Sequence, residues 1–288
     1  MYEPIFNAAL NFSTYPFAYA KVLVQLGHEP LAPYSANSYF GLGRNLRVQR
    51  LPGVFSYIRF IADHDGFVGI FRGALSKFLT DLVYGYTFSV TKNRILEDTD
   101  PDKKEELLNS LYSEGVAKMC AVVISHPFHV ISIRCMAQFI GRETIYEFPF
   151  FSSFSDIASH DGWKGFFAGL VPRMLFELIN FAVWRLLYHS VCNYFFDENK
   201  PISANHRNYV RISTSIFAPM VTYPLQLASV VSCVSGSSLR AGNPPCMPVY
   251  NTWIHSLRHL YKLNEHKRGS AMFIRYFNPN SINLLHDI

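Results

Sequence analysis

Thr14-Tyr15-Pro16-Phe17, Ser125-His126-Pro127-Phe128 and Thr222-Tyr223-Pro224-Leu225 are three versions of one stretch, roughly a hundred residues apart, and a recurrence at that period decides the architecture before any local reading does. Each lies in a long, mostly apolar run and carries a small polar residue ahead of an aromatic-Pro or His-Pro pair. In the first two copies a second signature follows: Asp65-Gly66 with Phe71-Arg72-Gly73, and Asp161-Gly162 with Phe167-Ala168-Gly169. The step from Gly66 to Gly73 equals that from Gly162 to Gly169. The third copy is eroded, with Gly269 to Arg275-Tyr276 standing where the glycine signature belongs.

Working outward, the apolar runs predict five long helices, over 4–26, 72–96, 111–139, 169–196 and 207–234. Each reaches the roughly 20 residues that cross a hydrocarbon core. None is uniformly apolar, so each is expected to be polar on one face, as around a wet cavity. Shorter amphipathic stretches separate them. Phe55, Ile58, Ile61 and Ala62 share a face at helical spacing, as do Phe151, Phe154, Ile157 and Ala158, and Trp253, Ile254, Leu257 and Leu260. These predict helices lying along the membrane surface. The repeats are bounded as 1–98, 107–200 and a truncated 205–288, together one membrane domain of all-α class. After Tyr276 only twelve residues remain, with Asn278-Pro279-Asn280 among them, so no sixth spanning helix is expected.

Composition agrees. Hydrophobic residues make up 49% and charged residues 16%, against about 25% charged in ordinary soluble proteins; the mean hydropathy of +0.09 suits helices with one polar face. The net charge of +5 is spread without a dense basic run, which speaks against a nucleic-acid partner. The five cysteines form no metal spacing and no Cys-x-x-Cys pair. His126 and His129 stand three apart without a further ligand set, so packing or cavity lining is the expected role. With no phosphate-binding loop, dinucleotide fingerprint or triad, neither an enzyme nor a cofactor is expected.

Three copies of a helix, surface helix and helix, with prolines in the odd helices, resemble the mitochondrial carrier family. Its odd helices carry Pro-x-acidic-x-x-basic-x-basic, whose charges close one side of a solute cavity. Here Pro16 keeps Lys21 but has Ala18 in place of the acid. Pro127 keeps Arg134, but His129 and Ser132 replace the acid and the first base. Pro224 is followed by Gln226, Ser229 and Val231. Without an acidic partner that gate cannot form, and coupled exchange loses one of the two closures it needs. Gln138-Phe139-Ile140-Gly141-Arg142-Glu143 and Gly165-Phe166-Phe167-Ala168-Gly169-Leu170-Val171-Pro172-Arg173 are similar to a narrower group, the mitochondrial carrier homologues, a divergent branch of the outer membrane. An insertion around Ser35–Leu42 and a weakly matching C-terminus depart from it.

That resemblance implies insertion of α-helical clients, tail-anchored ones above all, into the mitochondrial outer membrane, and docking of pro-apoptotic factors. A carrier barrel lacking one helix opens sideways to lipid. The ionisable residues within the helices are candidates for lining that groove: Lys21, Lys77 and Asp81, Arg134, Arg173 and Glu177, with the hydroxyl of Tyr223. Lys77 and Asp81 are four apart, as are Arg173 and Glu177, so each pair shares a helix face. Pro16, Pro127 and Pro224 are read as kinks that shape the narrow end. A furrow that admits peptide tails also admits lipid headgroups, so lipid scrambling is an accompanying expectation. The competing readings are a docking scaffold for apoptotic or metabolic regulators, and a residual small-molecule carrier or channel.

Overall fold

The computed structural model describes residues 2–37, 47–97, 107–146, 150–195 and 204–277; the Asp98–Glu106 linker and the segment after Phe277 fall outside these. The long helices are α1 (Tyr2–Ser13), α2 (Tyr15–Gln25), α4 (Ala74–Glu97), α5 (Leu107–Gly141), α8 (Leu170–Phe195) and α9 (Ala204–Val234). Between them lie α3 (Val54–Gly69), α6 (Phe150–His160), the single turn α7 (Gly162–Gly165) and α10 (Trp253–Lys262).

The expected first helix is two. Pro16 falls in the first turn of α2, where its missing N–H interrupts no intrahelical bond, and Thr14 takes a non-helical φ of −94° and ψ of 6° ahead of it. Pro127 and Pro224 instead lie inside the continuous helices α5 and α9, the latter also containing Pro219. The difference between a break and a bend therefore lies in the surroundings of the proline, not in the proline. Among the described residues, three helical stretches are long and apolar enough to cross a membrane: Leu111–Gly141, Gly162–Cys192 and Arg207–Val234. α4 has the length, but Lys77, Asp81, Lys92 and Arg94 punctuate it.

Helices form over the three expected amphipathic stretches, as α3, α6 and α10, and glycine interrupts the first two. Gly66 has φ +74° and breaks the helical path inside α3. Gly162, at φ +66°, does the same between α6 and α7. In α10 the Thr252 hydroxyl accepts from the His255 N–H at 3.2 Å, capping the helix.

The all-α expectation needs correction. β1 (Tyr34–Asn37), β2 (Arg47–Leu51) and β3 (Arg275–Tyr276) form an antiparallel sheet in the order β1-β2-β3. The pairing spans almost the whole chain: Arg50 stands opposite Tyr276 and Leu51 opposite Arg275. The Arg50 guanidinium lies 5.6 Å from the Tyr276 ring centre. Arg275 donates to the Glu29 carboxylate and, at 3.3 Å, to the Pro52 carbonyl. Arg275-Tyr276 is thus a strand, not the end of a glycine signature.

One apolar core runs through all of this. Its fully buried members include Tyr19 and Leu23 of α2, Ile131 and Met136 of α5, Leu227 of α9, and Tyr57, Ile157 and Leu260 of the surface helices. The C-terminal halves of α2, α5 and α9 pack on one another and close one end. Away from that floor, α1 packs on α4, α4 on α5, α5 on α8 and α8 on α9, and the circuit returns through α2 against α9.

Candidate functional site: a polar groove above a closed floor

The floor is built from one contact made three times. The Tyr15 hydroxyl donates to the Arg72 carbonyl. His126 Nε2 donates to the Ala168 carbonyl at 2.9 Å. The Tyr223 hydroxyl donates to the Arg268 carbonyl at 2.7 Å. Each donor immediately precedes a proline of the recurring stretch, and each acceptor immediately precedes Gly73, Gly169 or Gly269. These glycines have φ of +79°, +74° and +79°, a region that side chains avoid. A Cβ at Gly169 would come within 2.5 Å of the Ser229 carbonyl, and one at Gly269 within 2.9 Å of Gln25 Cγ. Gly269 therefore stands with Gly73 and Gly169, and no helix follows it among the described residues.

The positions five residues after the prolines, where the carrier pattern places its first base, close the floor in a different way. Ser132 Oγ donates to the Gly73 carbonyl at 3.4 Å and Ser229 Oγ to the Gly169 carbonyl at 2.9 Å. Lys21, the third of them, is half-buried with Nζ 5.4 Å from the Tyr223 ring centre. The Tyr223 hydroxyl also accepts from Gln25 Nε2 at 3.0 Å. Arg134 is buried (2% exposed), donating to the Cys233 carbonyl at 3.0 Å and pairing with Asp161. Lys21, Arg134 and Tyr223 thus belong to the floor.

Lys77, Asp81, Arg173 and Glu177 converge elsewhere, between α4, α5 and α8. Lys77 pairs with Asp81 within α4, and Asn11 Nδ2 of α1 donates to the same carboxylate at 3.0 Å. Lys118 of α5 lies 3.9 Å from Glu177. Its Nζ sits 5.9 Å from the Phe88 ring centre and 5.6 Å from that of Phe181, an arrangement in which ring faces stabilise a cation. Arg173 Nη1 donates to His126 Nδ1 at 3.3 Å, consistent with the hydrogen of that ring residing on Nε2. The charges of Glu177 and Asp81 act on Arg173, and those of Arg173 and Lys77 act on His129. Farther along, Lys92 and Glu114 pair at 2.7 Å. The side chains of these ion pairs keep partial exposure, 16–32%, so the groove is polar and open rather than a sealed core.

Of the sequence candidates, four line the groove and three lie in its floor. Lys118 and Asn11 complete the groove and were not among them, while His126, expected to pack or line the cavity, joins the floor to the groove through Ala168 and Arg173. Lys118 is the one lysine within an otherwise apolar, small-residue stretch of α5, a signal that would have found it. The outer faces of α9 and α1 are apolar and exposed. Tyr209, Ile212, Ile216 and Met220 recur on one face of α9, and Ile5, Phe6 and Leu10 lie on α1.

Comparison with known proteins gives the following. A family model described as mitochondrial carrier protein matches residues 103–199. Mitochondrial carrier homolog 2 of Mus musculus is 34% identical over 95% of this chain and 93% of that protein. Mitochondrial carrier homolog 1 of the same organism is 30% identical over 96% of this chain and 76% of that protein. Mitochondrial thiamine pyrophosphate carrier 1 of Phaeosphaeria nodorum is 24% identical over 90% and 79%.

Proposed function

The chain belongs to the mitochondrial carrier homolog family as a mitochondrial membrane protein, and from that premise we propose that it inserts α-helical, chiefly tail-anchored, proteins into the mitochondrial outer membrane. The observation that carries this reading is a row of polar and charged side chains, Lys77, Asp81, Lys118, Arg173 and Glu177, inside a helix layer whose outer faces are apolar. A charged group at the centre of a bilayer costs about 2.5–3.5 kcal/mol on insertion scales. A short polar tail that exchanges water for partly hydrated ion pairs partway across escapes much of that cost. Its apolar helix then leaves sideways between α1 and α9, where exposed apolar side chains line both edges. In this reading α1 with α2, α4, α5, α8 and α9 are the five membrane spans of a threefold repeat, and the thrice-made floor contact supports it.

Ordinary solute exchange is disfavoured on the same ground. The positions that close a carrier's gate hold Ala18, His129 and Gln226 in place of acids. Ser132 and Ser229 are committed to glycine carbonyls instead of to ion pairs. A floor fixed by hydrogen bonds and buried apolar residues lacks the ion pairs that a carrier gate breaks and remakes in alternating.

The test places a photoreactive amino acid at position 118 or 177, inside the groove, or at position 186, where the Leu186 side chain is 69% exposed. A tail-anchored client with a short polar tail is then captured during insertion into vesicles that hold the full chain. The tail is expected to crosslink to positions 118 and 177 and not to 186. Crosslinks confined to a stable complex, with no inserted client, would replace insertion with docking of partner proteins. Saturable flux of a small solute without client crosslinks would replace it with residual transport.

A further inference from the structure

Beside the floor, on the side of the surface helices, lies a cavity of about 820 Å³ that the groove does not use. Its apolar walls come from Leu31 after α2, Val231 of α9, Met247 in the loop beyond it, Leu260 and Leu263 around α10, and Ile274 before β3. The cavity owes its shape to the path of the third copy. After Gly73 and Gly169 a long helix starts at once, whereas after Gly269 the chain runs to β3 and pairs with β2. A thin strand segment thus forms one wall where the other copies place a helix.

The charges around this cavity are arranged in a telling way. Glu29 is paired with Arg275, and Glu265 with Arg268 at 2.6 Å. Arg268 is further held by the Gln25 carbonyl at 2.8 and 3.2 Å. The Tyr250 hydroxyl and His259 Nδ1 stand 2.8 Å apart, and burial pushes the His259 pKa down. Both wall carboxylates are therefore answered by guanidinium groups. Lys267, exposed at the rim, has no ion pair among the described residues. The site is a mostly apolar space with one uncompensated cation at its mouth.

We propose that this cavity binds a single-chain amphiphile with an anionic head, its chain against Leu31, Val231, Met247, Leu260, Leu263 and Ile274 and its head at Lys267. The volume lies within the roughly 300–1,000 Å³ usual for small-molecule sites. A peptide occupant fits less well, because the free edge of the sheet beside the cavity is β3, two residues long, and strand addition needs a longer row of main-chain partners. α10 is amphipathic, with Ile254 and Tyr261 about half exposed (46% and 50%). A helix of that kind lies at the membrane surface, where a lipid-soluble amphiphile reaches the mouth without crossing water.

The experiment uses the full chain in phosphatidylcholine vesicles and palmitate bearing a diazirine in its chain and a terminal alkyne. After irradiation, label is mapped by mass spectrometry. Label is expected on segments 246–248 and 260–277, displaced by excess palmitate, and alkylation of Cys246, an exposed thiol on the cavity wall, is expected to slow when palmitate is present. Lys267→Glu is expected to raise the palmitate needed for half-displacement about five- to tenfold, the effect of one basic residue near a surface, and to leave displacement by hexadecanol unchanged. Ala271→Trp, which fills the cavity, is expected to remove the label. Lys267 is exposed, so its substitution tests the site even if the tryptophan variant does not fold. Label spread along the outer faces of α1 and α9 with none in the cavity would overturn the proposal. So would equal sensitivity of palmitate and hexadecanol to Lys267→Glu, and so would labelling by an apolar peptide in place of palmitate.

Discussion

At the scale of single residues, Gly169 and Gly162 offer a controlled comparison. Both have positive φ, +74° and +66°, but a Cβ at Gly169 meets the Ser229 carbonyl at 2.5 Å while one at Gly162 meets nothing within 4 Å. Gly162→Ala should cost only its backbone term, about 1–2 kcal/mol. Gly169→Ala adds a clash in the floor and should cost about 2–4 kcal/mol. Thermal unfolding of the two variants in one detergent orders them. His28 supplies a pH dependence. It follows α2, packs edge-on to Phe139 with ring centres 5.9 Å apart, and burial lowers its pKa. A base with a lowered folded-state pKa contributes stability that is complete above its ordinary value, about 6.5, and is lost as pH falls below it. Glu29 is shifted the other way: burial raises its pKa against the opposing pull of Arg275, so its own contribution to stability increases on acidification. The thermal midpoint should therefore fall between pH 7 and pH 5 through His28 and, in the same sense, His259, and His28→Gln should flatten that slope in part. An unchanged slope would remove His28 from the account. Much of the groove was legible at this scale. Lys77 and Asp81, one helical turn apart, pair as counting allows, whereas Arg173, equally spaced from Glu177, donates to His126, and Glu177 lies 3.9 Å from Lys118. Lys118 could not be paired by counting, because its partner Glu177 is on another helix and nothing local marks the match. Arg134 and Tyr223 were readable as polar groups in apolar helices, but their contacts to Cys233 and Arg268 depend on how the three copies pack.

At the scale of elements, the hydrophobic runs located the long helices to within a few residues, since their periodicity is local. Two features escaped. The break between α1 and α2 needed more than Pro16, because Pro127 and Pro224 sit inside unbroken helices. The sheet joins Tyr34 to Arg50 and Arg50 to Tyr276, and strands of two to five residues carry too little alternation to be read alone. The break should matter for the edge of the groove. Pro16→Ala restores an N–H and removes the ring that conflicts with the preceding turn, so α1 and α2 should tend to fuse and α1 to swing off α4. The two helices approach closely, a Cβ at Gly85 coming within 2.9 Å of Pro4 Cβ. Spin labels at positions 6 and 86, both well exposed at 64% and 65%, should report a longer or broader distance in the variant. An unchanged distance would mean that packing on α4, and not Pro16, sets the break.

At the scale of the whole molecule, the three recurring proline stretches and the helices around them do two jobs. The proline stretches and their glycines tie a closed, mostly apolar floor, and the remaining helix lengths enclose a charged groove bordered by apolar outer faces. A stable floor under an open polar furrow suits a one-way lowering of a barrier better than an alternating exchange. The most direct measurement places the purified full chain in liposomes and times insertion of a tail-anchored helix with a short polar tail. Empty liposomes and the Glu177→Lys and Lys21→Glu chains, with thermal midpoints matched to the parent, serve as comparisons. The account predicts faster insertion than in empty liposomes, and a rate that changes with Glu177→Lys in the groove more than with Lys21→Glu in the floor. Insertion no faster than in empty liposomes, from a folded chain, would contradict it.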